Sequence, residues 1–221
     1  MIQTPKLTAS KIGVYLFLFF AIWSVRELYI RPVFLNPLNP IDSELIGAAI
    51  KLLVWTLPAI LLIKHFHDDM WVGLKEMFTS KLQWSRDALF ASVFIALLLG
   101  RPVLRLITYG ELGFRSDFVP IRLVGLVLFV GITEEFVFRG FLLNTFLRKM
   151  KMPYAIALDA VLFILIHYPI WIYNGRGVDD LIRSSIVVLP ISVFFAYSFI
   201  KTRNIFVPIA LHMAWNFSTV F

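Results

Sequence analysis

Two adjacent glutamates, Glu134 and Glu135, and one arginine, Arg139, interrupt a stretch that is otherwise almost entirely apolar from residue 123 to residue 143. At the centre of a bilayer an ionised carboxylate costs several kcal/mol, so residues of this kind face the protein interior and usually serve a function. On a helix Glu135 and Arg139 share a face and can pair. Glu134 is rotated by about 100° and must reach a different partner. One carboxylate is thereby neutralised, and the other is left for chemistry.

The remaining polar residues inside apolar segments are few. Among fourteen acidic residues only Glu134, Glu135 and Asp159 lie well within such a segment, and of four histidines only His167 and His212 do. Phe163 precedes His167 by four residues and Asn216 follows His212 by four, so each pair shares a helical face. Taken singly, each has an ordinary reading. A membrane histidine can be a helix-to-helix hydrogen bond, an asparagine can be interhelical glue, and Asp159 can be the partner of a buried cation. Taken together, they occupy three separate spans, and one shared, hydrated cavity would satisfy them all. The residues therefore point to a buried polar site of Glu134, Glu135, Arg139, His167, His212 and Asn216, without distinguishing an enzyme from a transporter. His65-Phe66-His67-Asp68-Asp69 has the donor types for a divalent metal, but it stands in a connector where interfacial polar residues are expected anyway.

The elements that must position these residues follow from composition. Of 221 residues 59% are hydrophobic and only 16% charged, and mean hydropathy is +0.81. A soluble domain has about a quarter of its residues charged. The reading is all-α: a polytopic membrane helical bundle of about seven transmembrane helices, or eight. Expected spans cover residues 12–25, 45–63, 88–100 (extending past Pro102 to Tyr109), 121–148, 153 to 167 or 173, 181–200 and 205–221. Residues 26–31 read as interfacial. Within the connector at 64–87, residues 70–78 read as an amphipathic segment on the membrane surface. Residues 1–120 hold the N-terminal spans and this connector, and residues 121–221 hold the motif-bearing core, all in one membrane domain without an internal repeat. There is no cysteine, which excludes disulfides, thiolate metal sites and a cysteine nucleophile. The net charge of +7 is read as basic loops that fix topology, and no nucleic acid is implied. With the N-terminus in the cytoplasm, eight of the nine lysines fall on or near that face, Lys51 being the exception. The polar cavity is expected to open there too.

Glu134-Glu135-x-x-x-Arg139, Phe163-x-x-x-His167 and His212-x-x-x-Asn216 resemble, in order, the three motifs of the CAAX protease and bacteriocin-processing family, the Abi-type glutamate intramembrane proteases. The likeness covers residues 121–221. It implies hydrolysis of a peptide bond inside a membrane cavity. Carried over by position, Glu134 and His167 activate the attacking water, and His212 and Asn216 donate to the developing oxyanion. Glu135, Arg139 and Phe163 support the site. Asp159 is not part of the pattern. General physics agrees with these roles: a carboxylate in a low-dielectric pocket is a better base near neutral pH, and donors aimed at an oxyanion act most strongly where water is excluded.

Rival readings differ by class. Two carboxylates and two histidines could hold zinc, but no His-Glu-x-x-His run is present and Glu135 is committed to Arg139, which favours a mechanism without a cofactor. A proton-coupled transporter would use the same residues as a relay but would normally show repeated halves. A non-catalytic scaffold, in bacteriocin immunity or regulation, would keep the site for binding a partner. The implied partners are the lipid bilayer and a membrane-embedded or membrane-associated peptide or protein substrate. Small size, compact loops and the lack of cysteine suit a bacterial cytoplasmic membrane.

Overall fold

The structure is a computed structural model that describes residues 6–116 and 118–221, with the backbone alone for residues 84–86. The described residues form helices and no strand. Helix α1 covers Ala9–Leu35 and α2 Pro40–His65. Helix α3 is the short Leu74–Thr79, and α4 is Trp84–Tyr109. Helix α5 spans residues 123–149, α6 is Met152–Leu165, α7 is Tyr168–Tyr173, α8 is Val178–Thr202 and α9 is Phe206–Ser218.

Local sequence sets these limits. Thr8 caps α1 through Lys11 N, and Asn39 caps α2 through Asp42 N, with Pro40 in the first turn where its missing N–H costs nothing. Gly110 takes a left-handed φ of 74° and ends α4. Prolines inside the long helices meet different solutions. Pro32 lies in a wide-turn π-helical stretch, Arg26–Leu35, and a second such stretch, Leu52–Thr56, precedes Pro58. Such turns mark places where regular helical bonding is interrupted. The first helix therefore runs well past residue 25, and Arg26 and Glu27 are not interfacial. They are buried, 8% and 2% exposed, and paired with each other inside the bundle.

Among the described residues, five helices are long and apolar enough to cross a membrane: Ala9–Leu35, Pro40–His65, Asp87–Tyr109, Met152–Tyr173 and Val178–Thr202. The protein is a polytopic integral membrane protein. Helix α5 is equally long but carries Glu134, Glu135 and Arg139, and α9 has only 13 residues. Both are sheathed by the others. Every residue of Phe136–Leu143 is buried, which makes α5 the axis of the bundle. A large apolar cluster surrounds that half of α5, drawing Trp23, Trp55, Phe163 and Phe199 from four other helices. A smaller one, Phe90, Phe195 and Leu211, ties α4, α8 and α9.

The connectors sort into two ends. At one, Asp69 accepts from Leu7 N and pairs with Lys149, Arg203 pairs with Glu76, and Met77 O accepts from Ile205 N. At the other, Asn36 meets the Tyr173 hydroxyl, Arg101 reaches Ser218 O and Arg105 reaches Phe221 O. The first end carries the lysine-rich connectors. It is closed, because residues 70–77 tuck under the start of α9 instead of lying on the surface. Met70, Val72 and Met77 are 6%, 0% and 0% exposed. Asn144 holds this segment from α5, accepting from Val72 N at 2.7 Å and donating to Val72 O at 2.8 Å.

Candidate active site

Helix α5 presents its two glutamates in different directions, as their one-residue offset requires. Glu135 is fully buried and its Oε1 accepts from Arg139 Nη1 at 3.0 Å. The same oxygen lies 2.7 Å from His212 Nδ1. Arg139 is the hub of this layer. Its Nη2 donates to Ser192 O at 2.8 Å and Ser192 Oγ at 2.7 Å, and its Nε lies 3.5 Å from Asp159 Oδ2. The guanidinium stacks over Phe163 at 4.5 Å. Asp159 thus has a place that its sequence position left open: it is the second carboxylate facing Arg139, fully buried, at ion-pair distance but without a hydrogen bond. Two carboxylates against one guanidinium bring α5, α6 and α8 together around a charge cluster whose members cannot be removed singly without a buried imbalance.

Glu134 turns the other way, to Lys51. Its Oε1 accepts from Lys51 Nζ at 3.2 Å. Lys51 is 8% exposed, and its ammonium lies against the packed rings of Trp23 and Trp55, 4.9 and 5.1 Å from their centres. Such cation–π contacts stabilise an ammonium removed from water. Sequence reading missed this partner. The available signal was that Lys51 is the one lysine away from the basic end. The consequence is a correction: burial does not act alone on Glu134, because a cation sits on one of its oxygens. The other, Oε2, has no protein hydrogen bond and lies 3.9 Å from His212 Nε2.

The two histidines are fixed by their Nδ1 atoms. His167 stands at the turn between α6 and α7, and its Nδ1 is 2.8 Å from Phe163 O. A carbonyl only accepts, so Nδ1 carries the proton and Nε2 is the free ring nitrogen. His212 Nδ1 faces Glu135 in the same sense, and its ring stacks on Phe195 at 5.2 Å. Gly131 allows this approach: a Cβ there would meet Met213 Cγ at 2.8 Å, so any side chain would displace the Met213 side chain from the α5–α9 seam. Asn216, one turn beyond His212, donates from Nδ2 to Leu126 O at 3.0 Å. Its amide has a second N–H.

Glu134, His167, His212 and Asn216 line one cavity of about 750 Å³, as convergence of the polar residues required. Glu135, Arg139 and Phe163 stand behind that wall. The cavity does not open toward the lysine-rich end. Its other lining residues include Leu35, Ser43, Arg176 and Thr219, which belong to the opposite end. The reason is the tucked segment at residues 70–77, which fills the lysine-rich end with apolar side chains. Among the described residues no group of three or more His, Asp or Glu is placed to hold a metal ion. In the connector, Asp69 is taken by Leu7 N and Lys149, and the His67 ring lies 3.3 Å from Asp68.

The family model described as Type II CAAX prenyl endopeptidase Rce1-like matches residues 116–218. No curated protein matches the chain, and no solved structure does. The matched region begins just before α5 and ends with α9, so it contains the three motifs and excludes the helix that supplies Lys51. Residues 116–218, which carry the three motifs, thus match the model of the CAAX-protease family that those motifs resemble.

Proposed function

We propose that the protein is an intramembrane endopeptidase that hydrolyses a peptide bond of a membrane-embedded or membrane-associated substrate, with Glu134, His167, His212 and Asn216 as the catalytic residues. The observation that carries this reading is the state of Glu134. One oxygen is held by Lys51, and the other is left without a protein partner, facing His212 on a cavity wall shared with His167 and Asn216. Water adds its oxygen to the carbonyl carbon and gives a proton to Glu134. The oxyanion is met by the Asn216 amide and by His212. With Glu135 accepting from Nδ1, His212 turns Nε2 toward the cavity and donates from there when both ring nitrogens carry a proton. The proton then passes to the departing amine as the C–N bond breaks, with the Nε2 of His167 as the relay. Lys51 is a positioning residue. It fixes the Glu134 rotamer and does not meet the substrate.

The reading keeps seven crossings, with α5 and α9 crossing inside the sheath. The lysine-rich end lies in the cytoplasm of a bacterial cell by the charge rule. The cavity then opens toward the outer face. Glu134→Gln preserves shape and removes the base, so it should abolish cleavage while the protein remains folded and monodisperse. Activity of this variant equal to wild type would overturn the assignment. Lys51→Met removes the cation that fixes Glu134. It should lower kcat and displace the acidic limb of the pH–rate profile, with Lys51→Arg restoring part of both. An unchanged profile would make Lys51 merely structural.

A further inference from the structure

A tryptophan buried in an apolar cluster ordinarily does no more than pack. Trp23, on α1, makes two further contacts, and each leads to a residue of the proposed site. Its Nε1 donates to Ile166 O at 2.9 Å, across 143 positions of the chain. That carbonyl belongs to the peptide unit that joins Ile166 to His167. It stands at the end of α6, where carbonyls lose their helical donors, and the residue three further on is Pro169, which has no N–H to give. The N–H of the same unit donates to Ile164 O at 3.0 Å. With Trp23 in place both polar ends of the unit are fixed, and the His167 ring is fixed in turn by Phe163 O. The second contact is made by the ring face. The Lys51 ammonium lies 4.9 Å from its centre, and Lys51 holds Glu134 at 3.2 Å. One side chain of α1 thus bears on the turn behind His167 and on the cation behind Glu134, and all four residues line the cavity.

Trp55 supplies a contrast. It packs on Trp23 with ring centres 4.1 Å apart, and Lys51 lies 5.1 Å from its own centre, so it shares both the cluster and the cation. It is also fully buried, but its Nε1 has no hydrogen-bond partner among the described residues. Of the two indoles, Trp23 alone bonds to the α6–α7 turn. Resting on the hydrolase reading above, we propose that Trp23 is a positioning residue for the reaction: its indole N–H sets the His167 ring against the Glu134 carboxylate. A relay must stay within hydrogen-bond reach of the proton it moves, and a carbonyl left without its donor lets the turn behind it shift. Trp23 lies outside residues 116–218, so the family match assigns it no role.

The test reads His167 directly. Full-length protein labelled with nitrogen-15 at histidine is placed in phosphatidylcholine nanodiscs. The chain has four histidines, and His167→Gln identifies the His167 ring signals by their loss. Trp23→Phe keeps an aromatic face and removes the N–H. Trp23→3-benzothienylalanine keeps both rings and replaces the N–H with sulfur, so it gives the same reading should the phenylalanine variant not fold. Trp55→Phe is the matched change with no hydrogen bond to lose. Both changes at Trp23 should shift or split the His167 signals and leave those of His65 and His67 in place. Trp55→Phe should leave the His167 signals where they are in wild type. Unmoved His167 signals in the Trp23 variants overturn the proposal. So do equal shifts in Trp55→Phe, which would make Trp23 a packing residue. Cleavage of a membrane peptide is scored separately: the Trp23 variants should lose roughly 10- to 100-fold in kcat, with KM little changed, as expected for a displaced catalytic group. Shifted signals with kcat unchanged would also overturn the proposal. Shifted signals in a protein that cleaves nothing even as wild type would sink the hydrolase reading and leave the hold of Trp23 on His167 standing.

Discussion

The two ends of this bundle are built from the same ingredients and come out opposite. At the lysine-rich end the apolar half of α5 is enclosed, and residues 70–77 close it with Met70, Val72 and Met77. Charges there sit outside, in pairs such as Lys149–Asp69 and Arg203–Glu76. At the other end the helices stay apart around a cavity, and Arg26, Glu27, Lys51 and Glu134 are buried along it. The difference shows what closes a membrane bundle. It is not the length of the spans but a connector able to fold back between them. Where the connector is short, as between α1 and α2, no plug forms and the polar groups remain reachable.

Breaking the layer that joins the two ends should have the largest effect. Arg139→Ala leaves Glu135 and Asp159 facing each other without a cation, at an expected cost of about 3–5 kcal/mol. Folded, monodisperse protein should fall sharply in size-exclusion profiles, and activity with it. A stable but inactive variant would place Arg139 in the chemistry instead. On the open side, Asn216→Ala removes a proposed oxyanion donor. The rate per folded molecule should drop by roughly two to three orders of magnitude, about 3–4 kcal/mol. On the closed side, Met77→Ala should cost about 2–5 kcal/mol of stability in a thermal melt, with kcat of the folded fraction unchanged. A kcat loss equal to that of Asn216→Ala would erase the distinction between the ends.

The smallest effect belongs to Asp69. Its carboxylate is held below the usual range, first by the hydrogen bond from Leu7 N and also by Lys149. A depressed carboxylate contributes stability that is present above its unfolded pKa of about 3.9 and is lost as pH falls through the folded value. Asp69→Asn should therefore lower the melting temperature slightly near neutral pH and match wild type in strong acid. A difference that persists in acid would point to packing rather than charge.

How much of this was legible in the sequence depends on whether the partner lies nearby in the chain. Glu135 with Arg139, Phe163 with His167 and His212 with Asn216 are all pairs at helical spacing, and they could be read directly. Lys51 and Glu134 are 83 positions apart, and a single lysine in an apolar run does not say which carboxylate it meets. Asp159 was hidden in the same way, since only packing of α6 on α5 brings it to Arg139. The mouth of the cavity was misplaced for a related reason. The lysine count marks one end as basic, but the filling of that end is decided by Met77 O accepting from Ile205 N and by Asn144 bonding to Val72, contacts that no local pattern encodes. The same holds for the buried Arg26–Glu27 pair, because a wide-turn stretch around Pro32 is not visible as continued helix.

The most direct test follows heavy oxygen. Purified protein in nanodiscs is incubated with a cleavable membrane peptide in heavy-oxygen water and excess chelator, and the products are weighed. The expected result is one heavy oxygen in the new C-terminal carboxylate with wild type and no product with Glu134→Gln. Cleavage by Glu134→Gln at the wild-type rate, or cleavage that vanishes with chelator and returns with zinc, would contradict a water activated by Glu134 and His167.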